Sequence, residues 1–165
     1  MKQSATLDTS FWINAHRAGL TPHVLSRYTL YYAPEVAAEL SPRFPSGQEF
    51  WRRARRGILK QVAAQQDHVQ AFGPGERAAI NVAIEHPGWL LLLDDQRPYQ
   101  ETMQRGLPVL CSPVLTAALF SEGTLNARDT LLTLARLATL QTVSPLLLAA
   151  ALSHVAKAWP DSGRS

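Results

Sequence analysis

The chain has 165 residues, 46% of them hydrophobic and 18% charged; that is enough apolar material for one domain with its own core and too little charge for wholesale disorder. Sixteen Lys and Arg against thirteen Asp and Glu give a net charge of +3, and a single cysteine, Cys111, excludes an internal disulfide and a cysteine-based zinc site. The N-terminus lacks the basic-then-apolar layout of a signal peptide and no apolar run reaches the roughly 18 residues of a membrane span, so a soluble, cytoplasmic protein without membrane contact is expected.

In chain order, Met1 to Ser4 are expected to fray. Ala5 to Leu7 reads as a short strand ending at Asp8, with Thr9 or Ser10 placed to cap a helix that begins at Phe11-Trp12-Ile13. Thr29 to Ala33 is rich in β-formers and stops at Pro34, the first position of a helix through Glu35 to Leu40. Ser46 to Gln66 has a helical pattern, with Phe50, Ala54 and Ile58 on one stripe and the run Arg52-Arg53-Ala54-Arg55-Arg56 largely off it.

Val69 to Phe72 reads as a third strand, and Gly73-Pro74-Gly75 as a turn opening a helix with Ala79, Ile80, Ala83 and Ile84 on its apolar side. Trp89 to Leu93 is a continuous apolar run of strand length, as in the middle of a parallel sheet covered on both faces, and it stops at Asp94-Asp95. A helix through Arg97 to Arg105, a strand at Pro108 to Cys111 and a helix at Pro113 to Ser121 continue the alternation of an α/β layered fold. From about Ala127 the chain reads as a helical hairpin, with Leu131, Leu134, Ala135 and Ala138 on one stripe and a restart at Ser144-Pro145; it is expected to cover the sheet or to serve as an oligomer contact. Pro160 to Ser165 are expected to fray. One domain over residues 1–165 follows, with a core at about 5–125 and a helical extension at about 126–159.

Asp8 and the pair Asp94-Asp95 stand at the C-terminal ends of strands, where open α/β sheets bind their ligands. Glu76 lies in the first turn of its helix in line with Ala79, Ile80 and Ala83, and Glu39 follows Val36 by three residues, so both carboxylates point inward. Singly, each acid is explained by a helix dipole or a turn. Together, at the edges of the most apolar segments, they imply a site, because several like charges are costly to bury unless a cation neutralises them. Convergent carboxylates are ligands for a hard ion such as Mg²⁺ or Mn²⁺, and the reaction that follows is phosphodiester hydrolysis by an activated water.

Through Leu7-Asp8-Thr9-Ser10, Pro34 to Leu40, Gly75-Glu76-Arg77-Ala78-Ala79-Ile80 and Leu91-Leu92-Leu93-Asp94-Asp95, the chain resembles the PIN-domain proteins. These are metal-dependent nucleases that include many VapC-type toxins, and the likeness is to the branch with a Gly-Glu helix start. The resemblance covers about residues 5–125. It implies an α/β/α sandwich around a mainly parallel sheet, with Asp8, Glu39, Glu76 and one of Asp94 or Asp95 around the metal and Ser10 in support. The choice within the acidic pair stays open. Toxin-like relatives are held by an antitoxin and often dimerise, which makes both partners expectations here. The chain departs from the pattern at Pro98-Tyr99 and Ser112-Pro113, on what should be the rim of the cleft.

Arg52, Arg53, Arg55 and Arg56, with Arg97, are the candidate contacts to an RNA backbone, since Arg pairs bidentately with phosphate; a solvated helix face is the alternative. A haloacid-dehalogenase-type phosphatase would need a second Asp where Ser10 stands, and an acidic pair on a late strand with no suitable Lys argues against a receiver domain. The five His lack zinc-ligand spacing, and no dinucleotide-binding glycine fingerprint follows the first strand. The reading from another class is a PIN-like module that keeps its acids but only binds nucleic acid or a partner protein.

Overall fold

Alternation of side chains along the strands explains how the molecule is layered, as seen in a computed structural model describing residues 1–159. Strands β1 (Gln3–Leu7), β2 (Tyr28–Tyr32), β3 (Leu59–Gln61), β4 (Leu90–Leu92) and β5 (Val109–Leu110) form one sheet in the order β3-β2-β1-β4-β5. Each pair is parallel, with Leu7 level with Tyr32 on one side and Leu92 on the other. Ala5, Leu7, Leu30, Tyr32, Leu59 and Leu92 enter the larger core on one face, while Leu91, Leu93 and Cys111 enter a second core on the opposite face. A strand buried on both faces is apolar at every position, which is why Leu90 to Leu93 lacks polar alternation.

The helices are α1 (Thr9–Ala18), α2 (Thr21–Arg27), α3 (Pro34–Glu39), α4 (Pro45–Arg55), α5 (Pro74–Glu85), α6 (Gln96–Gln104), α7 (Ser112–Ser121), α8 (Ala127–Ala138) and α9 (Pro145–Ala158). Together they make a three-layer α/β/α arrangement in which the strand order reverses between β1 and β4. Crevices at such switch points, outside the carboxyl ends of the strands, are where doubly wound sheets bind ligands. Here that point lies between Asp8 and Asp95. No helix among the described residues is long and apolar enough to cross a membrane.

Several elements differ from the sequence expectation. The helix expected over Ser46 to Gln66 ends at Arg55, because Gly57 takes a left-handed φ of 69° and closes it: the Gly57 amide donates to the Ala54 carbonyl and the Ile58 amide to that of Arg53. Ile58 therefore leaves the apolar stripe and is exposed, and the third strand is Leu59–Gln61. The expected strand at Val69 to Phe72 is a loop, held where the Asn81 side-chain carbonyl accepts from the His68 and Val69 amides. Helix α2 was not anticipated; Pro22 starts it after a turn at Gly19. Gln3 and Ser4 do not fray but pair with Tyr28 and Thr29, whereas the expectation for Pro160 to Ser165 falls outside the described residues.

The C-terminal hairpin packs against α7 and α1 rather than directly on the sheet. Its buried stripe on α8 is Thr130, Thr133, Leu134 and Leu137, so Leu131, Ala135 and Ala138 face outward. Cys111 is fully buried, and burial pushes its thiol up to about 12, leaving a neutral core residue.

Candidate active site

Asp8 follows β1 directly and is the N-cap of α1: its Oδ1 accepts the Ser10 amide at 2.6 Å while its own amide donates to the Leu92 carbonyl at 3.1 Å. The acid, not Thr9 or Ser10, caps the helix, which frees the Ser10 hydroxyl. That hydroxyl lies 2.7 Å from Asp8 Oδ2 and 2.9 Å from Asp95 Oδ2. It carries one proton, so it donates to one carboxylate at a time; a protonated Asp8 would donate to Ser10 Oγ, which then donates to Asp95.

Asp95 is the N-cap residue of α6, and Glu76 lies in the first turn of α5, where its carboxylate turns back to accept the Gly73 amide at 3.3 Å. Ligand oxygens of Asp8, Glu76 and Asp95 all lie within 4.8 Å of one another. Three helix N-termini, those of α1, α5 and α6, thus meet at this cluster, and their dipoles offset part of its negative charge.

The remainder of that charge shows in the proton affinities. Burial pushes Asp8 well above the usual carboxylate range, opposed by the two Ser10 bonds and reinforced by the charges of Asp95 and Asp94. Burial also raises Glu76, with the hydrogen bond and charge of Asp95 and the charge of Glu39 adding to it, from an ordinary 4.5 to about 7.

Glu39, the last residue of α3, sits beside the trio. Its Oε1 accepts the Gly75 amide at 2.9 Å and its Oε2 a short bond from the Thr9 hydroxyl. Gly75 makes this possible, because a Cβ there would collide with the Glu39 carboxylate and lie 2.9 Å from Thr9 Oγ1. The Gly-Glu pair that opens α5 therefore supplies both a carboxylate and the space for another.

Asp94 is placed differently from its neighbour. It is 1% exposed, its Oδ1 accepts the Ser112 amide at 2.6 Å, and its Oδ2 accepts the Ser112 hydroxyl at 2.7 Å and the Asn14 amide group at 2.8 Å. Burial still raises its proton affinity against those three donors. The residues Pro98, Tyr99 and Ser112, expected on the rim, are all buried; Ser112 anchors Asp94 and Tyr99 belongs to the second core.

Among the candidate basic contacts, Arg52 pairs with Glu49 and Arg53 Nε lies 2.7 Å from Glu49 Oε1. Arg55 and Arg56 are exposed, and Arg97 lies over the Phe72 ring, 5.7 Å from its centroid. Thr9, Asn14 and Gly75 are not legible as site residues in the sequence. Asn14 did leave a signal, a polar residue set among the buried positions Phe11, Trp12, Ala15 and Ala18 of α1.

The donor set at the trio is all carboxylate oxygen, which fits a hard divalent cation and not a soft one. No protein-family model matches the chain, and no curated protein matches it. Among solved structures it is similar to the PIN domain endonuclease Utp24, with a TM-score of 0.51 and 16% identity over 66% of this chain and 84% of that one. At that identity the likeness speaks to architecture, and with the parallel five-stranded sheet it establishes a PIN-like α/β fold.

Proposed function

We propose that the chain is a metal-dependent nuclease that hydrolyses phosphodiester bonds, with RNA as its substrate and Mg²⁺ or Mn²⁺ as its ion. The observation that carries this reading is the convergence of Asp8, Glu76 and Asp95 within 4.8 Å at the switch point of the sheet. The similar solved structure is described as a PIN domain endonuclease, which agrees with it.

In this reading Asp8, Glu76 and Asp95 hold the ion, and Asp94, which stands outside that group with its oxygens turned to Ser112 and Asn14, does not. A bound divalent ion would activate a water and offset the charge that grows on the phosphorus oxygens. Ser10 fixes the orientation of Asp8 relative to Asp95 through its hydroxyl. Glu39, held by Thr9 and Gly75, adds its negative charge beside the trio. Proton uptake by Glu76 near pH 7 is relieved once a cation shares its charge. A toxin role, an antitoxin partner and a homodimer rest on the sequence resemblance alone.

The test is cleavage of a labelled single-stranded RNA by the purified protein with Mn²⁺. Cleavage should stop on adding EDTA and in the Asp8→Asn variant. Cleavage by Asp8→Asn at the wild-type rate would sink the assignment, and tight RNA binding without any cleavage by the wild type would favour the binding-module reading instead.

A further inference from the structure

Two cavities share a wall and reach the acidic site, one through Glu39 and the other through Ser10. The larger, about 630 Å³, runs from Glu39 past Leu40 to Phe44 and Pro45. The smaller, about 380 Å³, runs from Ser10 and Asn14 to the loop residues Leu140 and Thr142 between α8 and α9. Ile13 and Arg17 border both. Ser10, Ile13 and Arg17 are spaced three and four apart on α1 and so lie on one helix face, which forms the ridge between the cavities.

Each wall has a feature that packing alone leaves unexplained. Phe44, the residue before α4, is 65% exposed and lines the same cavity as Glu39. Arg17 is exposed, lines both cavities, and is engaged by no ion pair among the described residues. Seven residues of helix put Arg17 roughly 10 Å from Ser10 along α1. An arginine there supplies the positive charge that the acidic cluster lacks, at the distance of a neighbouring part of the same polyanion.

The second wall is held in place from the site itself. Thr142 Oγ1 lies 2.9 Å from the Asn14 side-chain nitrogen, which also donates to Asp94 at 2.8 Å. Ser144 Oγ lies 3.2 Å from Gln96 Oε1 on α6. The C-terminal hairpin thereby contributes a fixed border to the cleft and does more than cover α7.

We propose that the face of α1 from Ser10 to Arg17 is the track of an unpaired nucleotide strand, with Phe44 stacking one of its bases and Arg17 pairing with its backbone phosphate. The inference rests on the nuclease reading for the identity of the polyanion and adds which residues beside the acids hold it. A base can present its face to Phe44 inside the cavity only when it is not paired.

Binding of a short fluorescein-labelled oligouridylate, followed by anisotropy in EDTA over a series of salt concentrations, tests this. Cleavage does not enter the measurement, so failure of the nuclease reading, seen as no cleavage with Mn²⁺, is a separate result. Phe44→Ala should weaken binding by roughly tenfold or more, while Phe44→Tyr retains it. The same Phe44→Ala change should leave binding of an RNA duplex, and of a strand whose bases are replaced by abasic sites, unaltered. Arg17→Gln should lower the salt slope by about 0.7. The proposal is overturned if the wild type does not bind the strand, if Phe44→Ala weakens the abasic strand as much as the intact one, or if the slope of Arg17→Gln is unchanged.

Discussion

Two carboxylate environments share the end of β4. Around Asp94, three donors from Ser112 and Asn14 reach the two oxygens at 2.6 to 2.8 Å, so the buried group is satisfied by protein hydrogen bonds. Around Asp95, the near neighbours are the carboxylates of Asp8 and Glu76 with a single hydroxyl, that of Ser10, between two of them. A buried acid surrounded by donors is a joint that ties α7 and α1 to the sheet. An acid surrounded by other acids is unfavourable unless a proton or a cation offsets its charge.

The largest expected effect separates the pair by activity. Asp95→Asn should lower kcat for RNA cleavage with Mn²⁺ on the order of 10³-fold, because a metal ligand supports several kcal/mol of transition-state stabilisation. Its melting temperature without metal should not fall, since one of three crowded charges has been removed. Equal loss of activity in Asp94→Asn, with the fold intact, would erase the distinction.

Metal linkage should give the next largest difference. Mn²⁺ at 100 times its Kd should stabilise the wild type by about 2.7 kcal/mol, or roughly 5–10 °C for a domain of this size. Asp94→Asn should keep that shift and Asp95→Asn should lose it. The sign of the pH dependence follows from Glu76, whose folded pKa is raised from 4.5 to about 7. The native state then binds its proton more tightly than the unfolded state, so this group progressively destabilises the metal-free protein between about pH 4.5 and 7 and fully above it. Melting of the metal-free protein at pH 5 to 8 should show that decline, and Mn²⁺ should restore more stability at pH 8 than at pH 5.

Asp94→Asn should cost about 1–3 kcal/mol in urea unfolding, because an amide nitrogen placed against the donors of Ser112 and Asn14 leaves one of them unpaired. The smallest effect belongs to the basic run. Replacing Arg52, Arg53, Arg55 and Arg56 by Gln should lower the salt slope of RNA binding by about 1.4, the value for two free arginines, because Arg52 and Arg53 are already engaged by Glu49. An unchanged slope would return the run to a solvated helix face.

Much of this arrangement was legible along the chain because its causes are local. Asp8 and the pair Asp94-Asp95 stand where apolar runs stop, and a strand that ends at a switch point delivers its next residues to the crevice whatever the details of packing. Gly75-Glu76 reads as a helix start, and Pro34 and Pro145 mark two more. The end of α4 is hidden in the sequence because helical periodicity continues past Gly57, while the backbone there turns left-handed and the chain enters β3 instead. Val69 is buried like a strand residue, yet its amide is taken by Asn81 and not by a sheet partner.

The sequence by itself determined the alternation of strands and helices and the placing of acids at their ends, since apolar runs, prolines and glycines act over a few residues. Only the tertiary structure decided what each acid meets. Asp94 is engaged by Ser112, 18 positions on, and by Asn14, 80 positions back, whereas Asp95 meets Asp8 and Glu76. Hydrogen bonds and charge repulsion depend on distance in space, and the fold sets that distance between residues far apart in the chain.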